Sequence, residues 1–417
     1  MKRIRAAAFM TGVLILGLML TGCAQILRTR GEIAMASNNY EAAIGHFQES
    51  LIKNPDDHET RARLGFAHFK AGRTDQAIEI LREVLLKKAD EPSASLYLGM
   101  ALLKRGERGA AMAAWRNYRN PAQPIVNKEI KKQLTLLEMV ESRELAKKAL
   151  ADEEKLQAVA AKPGTIGVTP FQDLSPDGGL RPMQKGMTAM ITTDLSTVKA
   201  LQVVERLRLQ ALIDEMKLGL SGIVDNKTAP RFGRLAGAEN LVAGTLGGAE
   251  PMLRVNTSIA SSVKKDVVDS FGVEAEKQKF FELEKEIVFN IVKRLNVPLT
   301  PEEKEALGWI HTKNLQAFLY YGQGLDALDG GEWKTAREFF EKAVKEDPAF
   351  DLAIQANDSC PGDEAPTPAS LMAMNPAQVA AQAESAVSAS QASQSSADAA
   401  AAAAADAAGG GNGGNGC

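Results

Sequence analysis

The sequence is short of the residues on which enzymes and metal sites most often depend. Its 417 residues include only four histidines and three cysteines, and these form no C-x-x-C or H-E-x-x-H motif. The glycine-rich run LAGAENLVAGTLGG lacks the spacing of a nucleotide-binding loop. Basic and acidic residues nearly balance, at 49 and 52, so no positive excess favours nucleic acid. We therefore expect no catalysis, no metal ion, no cofactor and no nucleic-acid partner.

Aromatic residues are also few, at 5%, which suits helical repeats, and the first part of the chain has a 34-residue period. Each period contains a glycine, then an alanine and then a large apolar residue at constant offsets. The three sets are Gly31, Ala43 and Phe47; Gly65, Ala77 and Leu81; and Gly99, Ala111 and Trp115. This pattern resembles the tetratricopeptide repeat, whose helix pairs stack into a solenoid. Residues 23–123 are therefore predicted to form an array of three repeats.

A fourth copy of the pattern stands alone near the end of the chain. Gly324, Ala336, Phe340 and Pro348 reproduce the spacing of the first repeat. A single repeat has no neighbouring repeat against which to bury its apolar face. We predict a lone helical hairpin within residues 298–356 that docks on the middle domain, on the N-terminal repeats or on another subunit.

By resemblance to tetratricopeptide proteins, the first helix of each repeat lines a concave groove. The residues that would face into this groove are Phe66, Phe69 and Lys70 of the second repeat and Met100, Leu103 and Lys104 of the third. Large apolar side chains beside two lysines suit an amphipathic or extended segment of a partner protein. The charged helical stretch at residues 124–162 is an alternative occupant, because it would cover the groove if it folded back. The sequence leaves both possibilities open.

Between the repeats, at residues 163–297, the pattern changes to alternating strands and helices. TIGVTPFQD and ENLVAGTLGG have the composition of strands, MLRVNTSIAS alternates like a half-buried strand, and KQKFFELEKEIVFNIVKRL has the periodicity of an amphipathic helix. The order of elements around Val203–Arg206 and around Ala238–Gly244 resembles the curli production assembly/transport component (CsgG) family. The resemblance implies an α/β sandwich and a protein of the bacterial envelope.

Glu205 and Arg206, within that resemblance, have two interpretations. A carboxylate near the start of a helix is favoured by the helix dipole, and the arginine would then pair locally. Alternatively, the two residues contact a neighbouring subunit of a homo-oligomer. Family members that secrete protein subunits lend hairpins to a transmembrane pore, but the connections GGAEP and SVKKD are too short to hold spanning strands. We therefore expect no pore.

The start of the chain has the pattern of a bacterial lipoprotein. Lys2, Arg3 and Arg5 precede an apolar run that ends in LTGC, which resembles a lipobox. The resemblance predicts a signal peptide at residues 1–22 and acyl chains on Cys23, and more than one chain is what stable anchoring needs. By the same resemblance, Ala24 in the next position favours the outer membrane, on its periplasmic face. A plain signal peptide with a chance cysteine is the alternative.

The end of the chain, residues 357–417, consists mainly of alanine, serine, glutamine and glycine. Such a composition cannot build a core of its own, so we predict a disordered tail. A disulfide bond between Cys360 and Cys417 and two unpaired thiols are both compatible with the sequence.

These features together predict a lipoprotein that binds partner proteins through its repeats and its CsgG-like domain. We expect a scaffold or accessory in envelope assembly or secretion, related to curli-type transport. The alternative is a lipoprotein that regulates a peptidoglycan synthase.

Overall fold

The computed structural model describes residues 23–156, 161–217 and 228–409. They divide into two compact units. The first unit comprises the chain up to Leu134 together with the residues from Leu371 onward, and the second unit comprises Thr135–Ser370. The chain therefore leaves the first unit, builds the second and returns to the first. The predicted signal peptide lies outside the described residues.

The repeat part of the first unit is a row of helical hairpins. Its helices are α1 (23–36), α2 (Tyr40–Lys53), α3 (His58–Lys70), α4 (Thr74–Lys87), α5 (Pro92–Arg105) and α6 (Arg108–Arg116). Consecutive helices pack on one another, and α3 also packs on α5. This is the stacking of a solenoid, as predicted. Helix α7 (Pro124–Ala151) follows, and the boundary between the two units falls within it.

The 34-residue period has a steric cause. A Cβ atom built on Gly65 would lie 2.8 Å from Cγ of Leu81, a separation that real Cβ atoms do not tolerate. Glycine therefore lets the two helices of one repeat approach closely. The same relation holds between Gly31 and Phe47 and between Gly99 and Trp115.

Local signals set the ends of these helices. The side chain of Asp57 accepts a hydrogen bond from the backbone N–H of Thr60, at 2.9 Å, and so caps α3. Pro92 occupies the first turn of α5, where its missing N–H costs nothing. Gly106 ends α5 with φ at 86°, in the left-handed region that favours glycine.

The second unit is built around one mixed sheet. Its strands are β1 (Thr165–Val168), β2 (Gln172–Asp173), β3 (Gln202–Val203), β4 (Asn240–Gly247), β5 (Met252–Ser261) and β6 (Asp266–Glu276). The order is β3-β1-β4-β5-β6, with β2 also beside β4. Strands β3, β1 and β2 run parallel to their neighbours, whereas β4, β5 and β6 are antiparallel. Only residues 248–251 and 262–265 connect the antiparallel strands, as short as the sequence indicated.

Helices cover both faces of this sheet. They are α8 (Glu153–Leu156), α9 (Arg181–Ser196), α10 (Arg206–Met216), α11 (Thr228–Ala236) and α12 (Phe280–Arg294). Val242 of β4 belongs to the same core as Met187 of α9 and Ile287 of α12. Its neighbour Leu241 belongs to a second core with Leu209 of α10 and Phe232 of α11. Because successive strand residues face opposite sides, these two cores identify the predicted α/β sandwich.

The lone repeat lies in the second unit and docks on the α/β domain. It is the hairpin of α14 (Leu315–Gly330) and α15 (Trp333–Glu346). Helix α13 (Pro301–Leu307) precedes the hairpin, and α16 (Asp351–Ser359) follows it. Helix α14 packs along α9. A Cβ atom on Gly186 of α9 would lie 2.8 Å from the ring of Phe318, so glycine permits this close contact. Of the three docking sites that the sequence left open, the structure shows the middle domain.

The C-terminal tail differs from the expected disordered segment. It forms α17 (Pro368–Ala373) and a long helix, α18 (Pro376–Gly409). Four small apolar residues at helical spacing are almost fully buried in the first unit: Val379, Ala380, Ala383 and Val387. The tail lacks a core of its own, as its composition indicated, but it packs on the surface of the repeats.

No helix in the described ranges is both long and apolar enough to cross a membrane. Those ranges also hold no cluster of histidine, cysteine and carboxylate side chains that would suit a metal ion.

Candidate partner-binding groove

The groove predicted from the sequence is formed by α3 and α5. Its floor is aromatic: the rings of Phe66 and Tyr97 stack with centroids 4.1 Å apart, and the ring of Phe69 lies 6.0 Å from that of Phe66. Stacked rings of this kind bury large apolar areas. The floor is therefore apolar and already filled with bulky side chains.

The six predicted groove residues divide by burial. Phe69, Met100 and Leu103 are buried, with at most 2% of each exposed. Phe66 and Lys70 are half-buried, and Lys104 is exposed. The Nζ atom of Lys104 lies 4.9 Å from the centroid of the Phe69 ring, within the range of a cation–π interaction. The structure thus brings residues of the second and third repeats together, as the period predicted.

The occupant of the groove is the chain's own C-terminal helix. Helix α18 packs along α5, within the first unit. Its facing residues Ala380, Ala383 and Val387 are at most 2% exposed, and a Cβ atom built on Gly106 would lie 3.3 Å from Pro376. The sequence left open whether the groove is accessible or covered by the stretch 124–162. It is covered, but by α18.

Three polar contacts fix α18 in this position. Lys70 Nζ donates to Glu384 Oε1 at 2.5 Å. The backbone N–H of Ile125 donates to Gln394 Oε1 at 3.0 Å. The side chain of Gln391 hydrogen bonds with Tyr97, whose hydroxyl also accepts from Arg63 at 2.7 Å. One carboxylate and two amides therefore set the register of the helix.

Burial and pairing act in opposite directions on Lys70. Burial lowers its pKa, but the hydrogen bond and the charge of Glu384 outweigh that effect and leave the pKa raised. The ammonium group consequently stays charged and favours an acidic residue at this point of the groove. A signal for α18 was present in the sequence, because Ala380, Ala383 and Val387 are spaced three and four residues apart.

Arg206 has a partner inside its own chain. Its Nη1 lies 2.6 and 2.8 Å from the two carboxylate oxygens of Asp329, on α14. Lys185 Nζ lies 2.8 Å from the same carboxylate. Burial raises the pKa of Asp329, but the two cations outweigh it and leave the pKa lowered. The guanidinium thus ties α10 to the lone repeat. The subunit contact predicted for Glu205 and Arg206 stays a prediction.

A buried charged cluster lies elsewhere in the second unit. Asp194 accepts from Lys285 Nζ at 2.6 Å, and its other oxygen lies 3.1 Å from His311 Nε2. His311 Nδ1 lies 2.9 Å from Asp351. Burial raises the pKa of Glu284 well above its usual range, and the charge of Asp194 raises it further, against a smaller opposing effect of Lys285. These contacts join α9, α12 and α16, and sequence reasoning missed them because their members are far apart in the chain.

The cysteines have different surroundings. Cys23 is exposed at the start of α1, and its acylation stays a prediction. Cys360 is buried, and its thiol donates to the backbone carbonyl of Trp333 at 3.6 Å. Cys417, its predicted alternative partner, lies outside the described residues, so the disulfide stays a prediction.

The fold and the groove define a class of protein, a repeat array that binds other proteins combined with an α/β domain. Family models match both the repeat array and the α/β domain. Residues 34–97 match the tetratricopeptide repeat, and residues 147–278 match the curli production assembly/transport component CsgG. The chain therefore contains a tetratricopeptide repeat region and a CsgG family domain, which confirms both resemblances.

Several solved structures resemble parts of the chain. The C-terminal domain of LpoB from Salmonella enterica is 14% identical and covers 32% of this chain and 95% of its own, with a TM-score of 0.24. A tetratricopeptide repeat protein from Parabacteroides merdae is 12% identical and covers 80% and 99%, with a TM-score of 0.26. A mutant O-GlcNAc transferase from Thermobaculum terrenum is 18% identical and covers 46% and 40%, with a TM-score of 0.27. Likeness at these scores says nothing about what this chain binds. No curated protein matches the sequence.

Proposed function

We propose that the protein is a lipoprotein of the outer membrane that faces the periplasm and serves as a scaffold in envelope assembly or secretion. Cys23 would hold it at the membrane through acyl chains, and the groove of α3 and α5 would hold a helical segment of a partner protein. It would act without a pore or a catalytic step of its own.

The observation that carries this proposal is the groove itself. Its aromatic floor and the charged Lys70 engage a helix, and the engagement is specific in register. Tetratricopeptide arrays present such concave surfaces to other proteins. The CsgG domain and the LTGC sequence support an envelope location.

Photo-crosslinking in intact cells tests the partner-binding role. A photoreactive phenylalanine analogue at Phe66 samples the groove, and the same analogue at Leu86, which is 87% exposed on the outer helix α4, is the matched control. We expect a secretion or envelope-assembly protein to be captured from position 66 and not from position 86. Capture of a peptidoglycan synthase would replace the scaffold role by the alternative regulatory role. Capture of residues 376–403 alone would contradict a partner in the groove.

Membrane fractionation tests the anchor. The Cys23→Ala variant is expected to move from the outer-membrane fraction to the soluble periplasmic fraction, because it offers no thiol for acylation. A Cys23→Ala protein that still fractionates with the outer membrane would show that lipidation is not the anchor.

A further inference from the structure

The side of α18 that faces the groove has an unusual composition. Its buried positions follow the alternating spacing of three and four residues that is typical of a helix packed on helices: Ala380, Ala383, Val387, Ser390 and Gln394. From Pro376 to Ala403 the chain contains no leucine, isoleucine, methionine or aromatic residue. Large apolar side chains would bury more area and so hold a packed helix more firmly. This helix fits because the large side chains are in the groove and the helix presents only small side chains to them.

Small side chains bury little apolar area, so their contribution to binding is modest. What makes the seated helix specific is the carboxylate of Glu384 opposite Lys70, together with the amides of Gln391 and Gln394. Within residues 376–403 the only acidic residues are Glu384 and Asp398. The groove therefore recognises a helix with a stripe of small residues and one acidic group on its flank.

The helix also holds its position through its covalent connection. A tethered segment meets its site at a raised effective concentration, so even weak contacts keep it bound. A partner with the same contacts has to displace it, and its apparent affinity falls by the fraction of molecules in which the groove is occupied. A weakly held, tethered helix has the properties of a competitor rather than of a structural element.

We propose that residues 376–403 are an exchangeable occupant of the groove, and that the partner enters as a helix of the same chemistry, with small facing residues and a carboxylate opposite Lys70. This inference rests on the proposed function, since it specifies the kind of segment that the groove receives. The tail then keeps the groove closed until such a helix replaces it.

The test uses a fluorescent synthetic peptide of residues 376–403 and the purified full-length protein. In the Ala383→Gln variant, a larger side chain replaces a residue that is 1% exposed, so the tethered helix leaves the groove. Ala381→Gln makes the same change at an exposed position of the same helix, and is the matched control. We expect the wild type and Ala381→Gln to bind the peptide weakly and equally, and Ala383→Gln to bind it at least about tenfold more tightly.

A second substitution identifies the binding surface. Adding Lys70→Gln to Ala383→Gln is expected to weaken peptide binding severalfold, and a peptide with Glu384→Gln should show the same loss. Equal affinity of wild type and Ala383→Gln would overturn the proposal, as would an open groove that is indifferent to Lys70→Gln. Concentration-dependent dimers of the wild type that Ala383→Gln abolishes, seen by light scattering, would also overturn it, because they would assign the helix to a second copy.

The two proposals fail in different ways. A partner captured from Phe66 in cells, with no gain in peptide binding by Ala383→Gln, would refute the exchangeable helix and leave the scaffold function intact. Tight peptide binding to the opened groove, with no partner captured in cells, would support the exchange and refute the scaffold function.

Discussion

The tetratricopeptide pattern occurs twice in this chain, and its apolar face is covered differently in the two places. In the N-terminal array, a helix of small residues covers the groove, and its polar contacts are few. In the lone repeat, α14 packs on α9 through Phe318, whose fully buried ring contacts Phe280 and Phe281. Buried ion pairs around Asp329 reinforce that contact. The same repeat therefore serves as a replaceable site in one unit and as a permanent part of the structure in the other.

The largest expected effect tests the permanent contact. Phe318→Ala removes a ring that is 0% exposed and should lower the free energy of unfolding of the second unit by about 3–5 kcal/mol. Phe289→Ala, at a position that is 37% exposed on α12, is the control and should cost less, because part of its ring already faces solvent. Urea unfolding with pulse-labelling hydrogen exchange reports each unit separately. If Phe318→Ala were no more costly than its control, the docking of the lone repeat would be loose, and the contrast with α18 would disappear.

The buried charges of the same contact give the next largest effect. Asp329→Asn leaves Arg206 and Lys185 without their shared carboxylate, and breaking such a buried pair costs about 3 kcal/mol. Asp326→Asn lies one turn away, pairs with the same lysine at 2.8 Å and is 48% exposed in its side chain, so it should cost less than about 1 kcal/mol. The measurement is the urea midpoint of the second unit. Equal losses in the two variants would mean that solvent screens Asp329 as it does Asp326.

A structural feature can be predicted from the sequence when the contacts that cause it recur at a fixed spacing along the chain. The array was predictable because the close approach of Gly65 to Leu81 recurs every 34 residues. The docking site of the lone repeat was not predictable, because Gly186 and Phe318, which meet there, are far apart in the sequence. The same holds for Arg206 and Asp329, which no local pattern connects.

The tail shows the limit of reasoning from composition. A segment without large apolar residues cannot form a core, and that rule correctly excludes an independent domain at residues 376–409. The rule does not apply when another part of the chain supplies the bulk, as the ring of Phe69 and the side chain of Met100 do in the groove. Hence the groove residues were predicted, whereas their occupant was missed.

A smaller effect is expected in the array. Val387→Ala removes two methyl groups at a position that is 0% exposed and should loosen α18 by about 1 kcal/mol. Hydrogen exchange should therefore quicken about fivefold in residues 376–403 while α3–α6 keep their protection. Ser388→Ala, on the exposed side of α18, should change nothing. Loss of protection throughout the array would show that α18 is part of its core, like α14 in the second unit.

The smallest effect is a response to pH that should have opposite signs in the two units. Burial lowers the pKa of His311, but Asp194 and Asp351 outweigh it and leave the pKa above its ordinary 6.5. Its stabilising contribution is thus complete below about pH 6.5 and is lost as the pH rises through the folded-state pKa. The raised pKa of Glu284 acts in the same direction, because its contribution is also lost as the pH rises.

In the array, burial and the charge of Arg73 lower the pKa of His68, against a smaller opposing effect of Glu41. Its neutral form stabilises the fold above about pH 6.5, and that contribution is lost as the pH falls through the lowered pKa. As the pH falls from 8.5 to 5.5, the urea midpoint of the second unit should therefore rise relative to that of the array. His311→Gln, which keeps an amide between Asp194 and Asp351, should reduce the pH dependence of the second unit's stability. His68→Gln should reduce that of the array. If His311→Gln left the second unit's pH response unchanged, the cluster around Asp194 would not be what couples its stability to protons, and the opposite signs would need another source.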